Sequence, residues 1–234
     1  MNYKKIGIIG AMESEVAMLF AEMEEKTEEK HGAFSVKSGK LAGHDVVIVR
    51  SGIGKVNMAA CAQFLIDIYG VDVLLNTGIA GSLDAAIDIG DIVLSTDCIQ
   101  HDMDARAFGY EVGIIPQMKC SVFKADEALG NLAAEVCAEV NPDIKVFKGR
   151  VLSGDLFVAD KAKKDWLKET FNGSCTEMEG AAMAQVAYMN DVPFLVVRAI
   201  SDKADDSASM SYDTFEKLAI EHMVRLTEEF VSRL

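Results

Sequence analysis

The sequence predicts one α/β domain spanning residues 1–234, an α/β/α sandwich with helices on both faces of a central mixed sheet. Three observations carry this. Short apolar runs alternate with amphipathic, helix-period segments along the whole chain. Some runs are apolar at consecutive positions, as in Phe194-Leu195-Val196-Val197, the pattern of largely parallel strands covered on both sides. No linker, repeat or low-complexity stretch breaks the alternation.

Ile6-Gly7-Ile8-Ile9-Gly10 reads as a buried first strand. Residues 13–29 read as one helix, with Val16, Leu19, Phe20 and Met23 on one side and Glu22, Glu24, Glu25, Glu28 and Glu29 on a solvated face. Residues 34–50 read as a hairpin, Phe34–Lys37 and Val46–Val49 around a glycine-rich turn, and this hairpin makes the sheet mixed. Ser51-Gly52-Ile53-Gly54 leads into a helix from about Val56 to Tyr69. Val71–Asn76 is the next strand, followed by Thr77–Gly81, and Asp91–Ser95 is another.

Residues 100–120 mix charge, aromatics and glycine without a period; so long a structureless segment is usually functional or lies at an interface. A helix at about 125–140, a strand at about Val146–Leu152 and a helix at about 161–171 follow. Glu177-Met178-Glu179-Gly180 opens a helix that ends near Asn190. Pro193–Ile200 is a strand running into Ser201-Asp202, and a last amphipathic helix fills about 214–233.

The charge balance narrows the partners. Lysine and arginine number 23 against 37 aspartates and glutamates, a formal net charge of −14. That argues against nonspecific attraction to nucleic acid or an anionic membrane and leaves a small neutral ligand open. The five cysteines, Cys61, Cys98, Cys120, Cys137 and Cys175, are odd in number and lack C-x-x-C spacing, which fits a reduced, cytoplasmic protein. The apolar run near the start is too short for a signal-peptide core or a membrane span.

In sheets of this kind ligands lie outside the carboxyl ends of the strands. The segments leaving the strands carry Met12, Glu13 and Glu15; Ser51–Gly54; Asn76–Gly81; Ser153–Val158; Glu177–Glu179; and Ser201-Asp202. Glu15, Glu179 and Asp202 could therefore converge on one crevice. Carboxylates at helix starts also serve as caps and macrodipole partners. For Asp202, at the mouth of an apolar strand, a charge needs a partner, which favours function. Gly52-Ile53-Gly54 does not complete G-x-G-x-x-G, and nothing matches the phosphate-binding P-loop. His101-Asp102-Met103-Asp104 lacks the further His or Cys of a usual metal site, so no metal or other cofactor is expected. No G-x-S-x-G elbow is present, and the cysteines sit in apolar contexts that suit core residues better than nucleophiles.

These segments together carry a resemblance. Ile6–Val16 (IGIIGAMESEV), Ser51–Val56 (SGIGKV), Asn76–Gly81 (NTGIAG), Ala107–Tyr110 (AFGY), Ser153–Phe157 (SGDLF), Glu177–Glu179 (EME) and Val197–Asp202 (VRAISD) follow in order over essentially the whole length. The chain resembles the bacterial 5′-methylthioadenosine/S-adenosylhomocysteine nucleosidases of the purine nucleoside phosphorylase superfamily.

The resemblance implies the nucleoside phosphorylase-like fold and hydrolysis of the N-glycosidic bond between adenine and a 5′-thioribose. It implies Asp202 as the acid that protonates adenine N7, with Ser201 orienting it, and Glu15 as the base for the attacking water, with Arg198 close by. It implies Glu179 beside the oxocarbenium-like ribosyl group, with Glu177 and Met178 alongside, and Phe157 stacked on the base with the Val158 backbone reading its edge. Met12, Ile53, Met178 and Tyr212 would line the ribose and alkylthio region, and Ile79, Ala80 and Gly81 another wall. Phe108 and Pro116 would reach into a partner subunit's pocket, which implies a homodimer. One departure stands out: Ile79 occupies a position where serine is common in the family, so no hydroxyl there can hold the water.

Two alternatives are weighed on the sequence, and a third is excluded. A phosphorylase of the same fold would need cationic groups for phosphate; related phosphorylases carry an arginine just ahead of the glycine turn, where this chain has Asn76-Thr77. A noncatalytic purine-binding protein would keep the pocket and lose a carboxylate. A nicotinamide-dependent dehydrogenase would need the absent Rossmann fingerprint.

Overall fold

The structure, a computed structural model, describes residues 3–206 and 208–234, with the side chains of residues 209–214 outside that description. Strands β1 (Ile6–Gly10), β4 (His44–Arg50) and β5 (Val73–Ser82) run parallel, β1 in the middle. From β4 the sheet continues antiparallel through β3 (Phe34–Leu41) to the edge strand β2 (Glu24–His31). On its other side β5 pairs twice, parallel to β10 (Phe194–Asp202) and antiparallel to the short β9 (Cys175–Glu177). β10 pairs with β6 (Ile92–Gln100), β6 with β8 (Val146–Ser153), and β8 with β9, so these five strands close a ring. β7 (Phe123–Lys124) adds two residues to β6.

The consecutive apolar runs are buried on both faces. Ile6, Ile8, Val46, Ile48, Leu195 and Val197 pack toward α1 (Glu13–Glu22), α3 (Glu127–Val140) and α6 (Ala208–Ser232). The alternate residues Ile9, Val47, Val49, Phe194 and Val196 pack toward α2 (Lys55–Phe64) and α5 (Gly180–Met189). A smaller apolar cluster joins Leu83, Leu152 and Val158 to Leu167 and Phe171 of α4 (Lys161–Phe171).

The main correction concerns residues 13–29. The helix stops at Glu22, Met23 turns to an extended conformation (ψ 144°), and the acidic run forms β2 instead. The apolar spacing ends at Met23, the last residue with core to reach. Beyond it the main chain pairs with β3, Glu28 opposite Lys37, and every residue of β2 is exposed. A strand solvated on both faces has no period-2 signal, and its charges protect an open edge.

Smaller shifts follow the same logic. The hairpin turn is Ala42-Gly43, both at positive φ (48° and 86°), so the paired strands run longer than expected. β5 continues through Thr77–Ser82 because β9 and β10 pair with that stretch. The helix after Gly54 passes into a π-helical turn at Leu65–Tyr69, and α6 starts six residues before residue 214. Among the described residues no helix is long and apolar enough to cross a membrane, and the five cysteines are free thiols.

Candidate active site

A cavity of about 510 Å³ opens at the carboxyl ends of the strands. Ala11 and Met12 enter it after β1, Ile53 after β4, Ile79, Ala80 and Gly81 from β5, and Phe157 after β8. Thr176, Glu177, Met178 and Glu179 come from β9 and the entry to α5, and Ser201 and Asp202 close β10. Glu15, from the first turn of α1, completes the wall. The described lining thus carries four carboxyl side chains and no lysine or arginine.

Each carboxyl group is held differently. Glu15 is 4% exposed; its Oε2 accepts from the amides of Ala11 (2.7 Å) and Met12 (2.9 Å), its Oε1 from that of Ile79 (3.2 Å). Burial raises its pKa, against the lowering influence of Arg198 and these amides. Asp202 is 2% exposed; its Oδ2 accepts from the Ser201 hydroxyl (2.9 Å) and its Oδ1 from the Ala204 amide (2.7 Å). Burial raises its pKa too, and the two donors only partly offset that. Glu179 Oε1 accepts from the Gly54 amide at 2.7 Å. Burial, reinforced by the nearby Glu177 charge, pushes its pKa up to about 8.

Glu177 is engaged by the protein on both oxygens. Its Oε2 accepts from Arg198 Nη2 (2.6 Å) and from the amides of Glu179 (3.0 Å) and Gly180 (2.7 Å), and the Ser153 hydroxyl bonds its Oε1. It lies at the N-terminus of α5, where a negative charge is favourable.

Arg198 is off the cavity wall, fully buried behind it. Its Nη1 donates to the carbonyls of Asn76 (3.1 Å) and Val197 (2.9 Å), and its Nη2 also bonds Asn76 Oδ1. Asn76 Nδ2 in turn donates to Ile9 O at 2.8 Å. A desolvated ion pair tolerates burial only with its remaining hydrogen-bond capacity met, and Asn76 meets most of it. Position 76, in β5, therefore ties β1 to β10 through a short amide.

Met12, Ile53, Ile79, Ala80, Gly81, Phe157, Glu177, Met178 and Ser201 all line the cavity with Glu15, Glu179 and Asp202. The Val158 side chain does not line it and packs with Leu83 and Leu152, because the chain turns inward after Phe157; the expectation for Val158 concerns its backbone. Phe108 is 84% exposed and Pro116 half-buried, and neither lines this cavity. The Tyr212 side chain, in α6, lies outside the described part of the structure.

Thr176 and Ala11 line the cavity without having been singled out, although each sits at a strand end beside a residue that was. Gly78 was also passed over. A Cβ there would lie 2.6 Å from Glu15 Oε1 and 3.4 Å from Arg198 Nη1, so its bare Cα makes room for both. The Ile79 side chain offers no hydroxyl, but its amide still holds Glu15. His101 and Asp102 do not converge on a common point: the imidazole is buried against Gly154 and Asp102 takes Lys55. Among the described residues no group of three or more His, Cys, Asp or Glu side chains is placed to hold a metal ion.

Comparisons with known proteins agree with this architecture. Residues 5–232 match the phosphorylase superfamily model. The chain is 40% identical over 232 residues to a 5′-methylthioadenosine/S-adenosylhomocysteine nucleosidase of Chromohalobacter salexigens, covering 99% of this chain and 98% of that one. The crystal structure of the nucleosidase of that name from Neisseria meningitidis, in complex with methylthio-immucillin-A, superposes with a TM-score of 0.94 at 37% identity, covering 99% and 100%. A futalosine hydrolase of Helicobacter pylori superposes with a TM-score of 0.93 at 34% identity, covering 99% and 98%. With its full-length match and the described fold, the chain belongs to the 5′-methylthioadenosine/S-adenosylhomocysteine nucleosidase family of the phosphorylase superfamily, a family of N-glycosyl hydrolases.

Proposed function

We propose that the protein hydrolyses 5′-methylthioadenosine and S-adenosylhomocysteine to adenine and the 5-thioribose product. The observation that carries this reading is the contrast between two buried carboxyl groups. Asp202 has only two donors against strong desolvation, which favours the protonated form an acid needs. Burial raises Glu15 as well, but three amides and the Arg198 charge behind it act against that rise and favour the ionised form a base needs.

In the proposed reaction Asp202 gives its proton to adenine N7 as the C1′–N9 bond breaks, so adenine leaves neutral. Positive charge builds on the ribosyl group, and that charge favours the ionised form of Glu179, which grips the ribose hydroxyls. Water attacks C1′ and yields its proton to Glu15; exchange with solvent returns Glu15 to carboxylate and Asp202 to acid. Phe157 stacks on the base. Met12, Ile53 and Met178, with Tyr212, face the ribose and the 5′ substituent. Ile79 contributes to the water site through its amide on Glu15. Arg198 acts from behind Glu15 and Glu177 as a fixed charge. A lining with no lysine or arginine among the described residues favours water over phosphate as nucleophile.

The pocket is completed in a homodimer, with Phe108 and Pro116 entering the partner's cavity. Exposed apolar side chains support this: Phe108 at 84%, and Val56 (79%) and Met189 (63%) on one groove between α2 and α5.

The test is adenine release from 5′-methylthioadenosine with and without phosphate, with the sugar product identified. Phosphate-independent release with free 5-methylthioribose supports the reading. A sugar 1-phosphate formed only with phosphate makes the protein a phosphorylase. Release confined to futalosine-type nucleosides assigns it to the hydrolase branch represented in H. pylori.

A further inference from the structure

A polar circuit beside the cavity ties its two ends together. Consecutive amides at the N-terminus of α2 hold two different carboxylates: Gly54 N donates to Glu179 Oε1 (2.7 Å) and Lys55 N to Asp155 Oδ1 (2.8 Å). The Asp155 amide donates to Asp102 Oδ2 (2.9 Å), and Lys55 Nζ closes the loop on Asp102 Oδ1 (2.6 Å). Lys55 Nζ also reaches Gln100 Oε1 at 3.0 Å.

Three chain segments meet here. One carries Ile53 and the amide that holds Glu179, at the ribose end. The second carries Asp155, two residues ahead of Phe157, at the base end. The third is the start of the irregular 100–120 segment that carries Phe108. Gly154 rests on the buried His101 ring with no room for a Cβ, and its amide donates to the Glu177 carbonyl at 3.1 Å. The segment ahead of Phe157 is thus pinned at successive residues, and Asp155 links it to α2.

We propose that Lys55, Asp102 and Asp155 form a clasp that positions Phe157 relative to the Gly54–Glu179 contact, coupling base binding to ribose binding. None of the three lines the cavity, so they are positioning residues. The side chains of Lys55 and Asp102 are 17% and 29% exposed, intermediate between a surface pair and a buried one, and the shared network gives the clasp more hold than an isolated surface ion pair. The functional half of this proposal rests on the nucleosidase reading; the structural half does not.

The experiment uses the full chain and the variants Asp102→Ala, Lys55→Met and Phe157→Ala, with the double variant Asp102→Ala/Phe157→Ala. Amide hydrogen exchange on the ligand-free protein tests the clasp without any substrate. Asp102→Ala should speed exchange about tenfold at residues 153–157 and at 54–55 together. No change in a folded variant overturns the clasp, whatever the protein's substrate.

Adenine affinity and turnover of 5′-methylthioadenosine test the coupling. Asp102→Ala should weaken adenine binding and raise KM about tenfold, with kcat within about threefold. On the Phe157→Ala background the same change should add almost nothing. Full additivity overturns the assignment of Phe157 as the group positioned. Lys55→Met, which leaves the Asp155–Asp102 bond in place, should show a smaller effect of the same kind; if Asp102→Ala does not fold, an unaltered exchange rate and KM in Lys55→Met overturn the proposal. Failure of the wild type to bind adenine or release it, with the exchange result intact, overturns the nucleosidase reading alone.

Discussion

Replacing Gly78 by alanine should remove Glu15, the carboxylate proposed to activate water, from its seat without unfolding the protein. Gly78 sits in β5 and is not one of the positive-φ glycines, so its backbone accepts a side chain. The obstacle is Glu15: the new Cβ would stand 2.6 Å from Oε1 and 3.2 Å from Cδ. Restoring an ordinary contact requires the carboxylate to retreat by about 1 Å. Three amides at 2.7, 2.9 and 3.2 Å oppose that movement, so the strain falls on the hydrogen bonds that define the base. Each such bond to a charged group contributes about 1.5–3 kcal/mol. A misplacement of about 1 Å in a reacting group lowers the rate about 100-fold.

Gly78→Ala should therefore lower kcat for 5′-methylthioadenosine about 100-fold and leave KM within about threefold, since base and ribose contacts lie elsewhere. The assay is initial-rate adenine release, with a thermal melt on the same sample. Gly130→Ala serves as the control: it lies in α3 with only Leu195 Cδ1 at 3.9 Å from the new Cβ. That change should keep full activity and raise stability by about 0.5–1 kcal/mol through helix propensity. A folded Gly78→Ala protein with wild-type kcat would refute the placement of Glu15 as base.

The pH dependence of kcat/KM should be bell-shaped. Its acid limb is protonation of Glu15, set above the ordinary carboxylate range by burial, and its alkaline limb is loss of the Asp202 proton. Asp202→Asn should lower kcat about 10²–10⁴-fold with the fold intact; a rate that stays flat from acid to alkaline pH would remove both groups from the mechanism. Burial raises Glu179 from 4.5 to about 8, so its stabilising influence is full below pH 4.5 and fades as pH rises through 8. Glu179→Gln should accordingly raise the melting temperature clearly at pH 9 and change it little at pH 5; equal shifts at both pH values would contradict the raised value. If the proposed homodimer forms, Phe108→Ala should raise KM and dilution to monomers should lower specific activity; a fully active monomer would show that the pocket needs no second subunit.

Most of the layered fold was legible because burial on both faces writes itself as consecutive apolar residues, as in Val46–Val49 and Phe194–Val197. The edge strand Glu24–His31 was not, since an element with no buried face carries no hydrophobic period and its pairing is decided by β3. The site followed the same division. Glu15, Glu179 and Asp202 stood out as carboxylates leaving strands, and all three reach one cavity. Arg198 and Glu177 could be placed in that neighbourhood, but their mutual ion pair and the Asn76 amide that supports it depend on strands far apart in the chain. Gly78 and the Lys55–Asp102–Asp155 circuit left no mark, because neither a missing Cβ nor an ordinary charged residue signals what it will face.

Residue order alone was enough for the α/β class, the family and the identity of the acidic side chains, because these rest on local periodicity and on motifs of neighbouring residues. The closed ring of β5, β10, β6, β8 and β9, and with it the donors that each buried carboxyl group meets, came only with the assembled chain. Proton affinity is a property of surroundings: burial raises both Asp202 and Glu15, while the donors around each and, for Glu15, the Arg198 charge act against that rise.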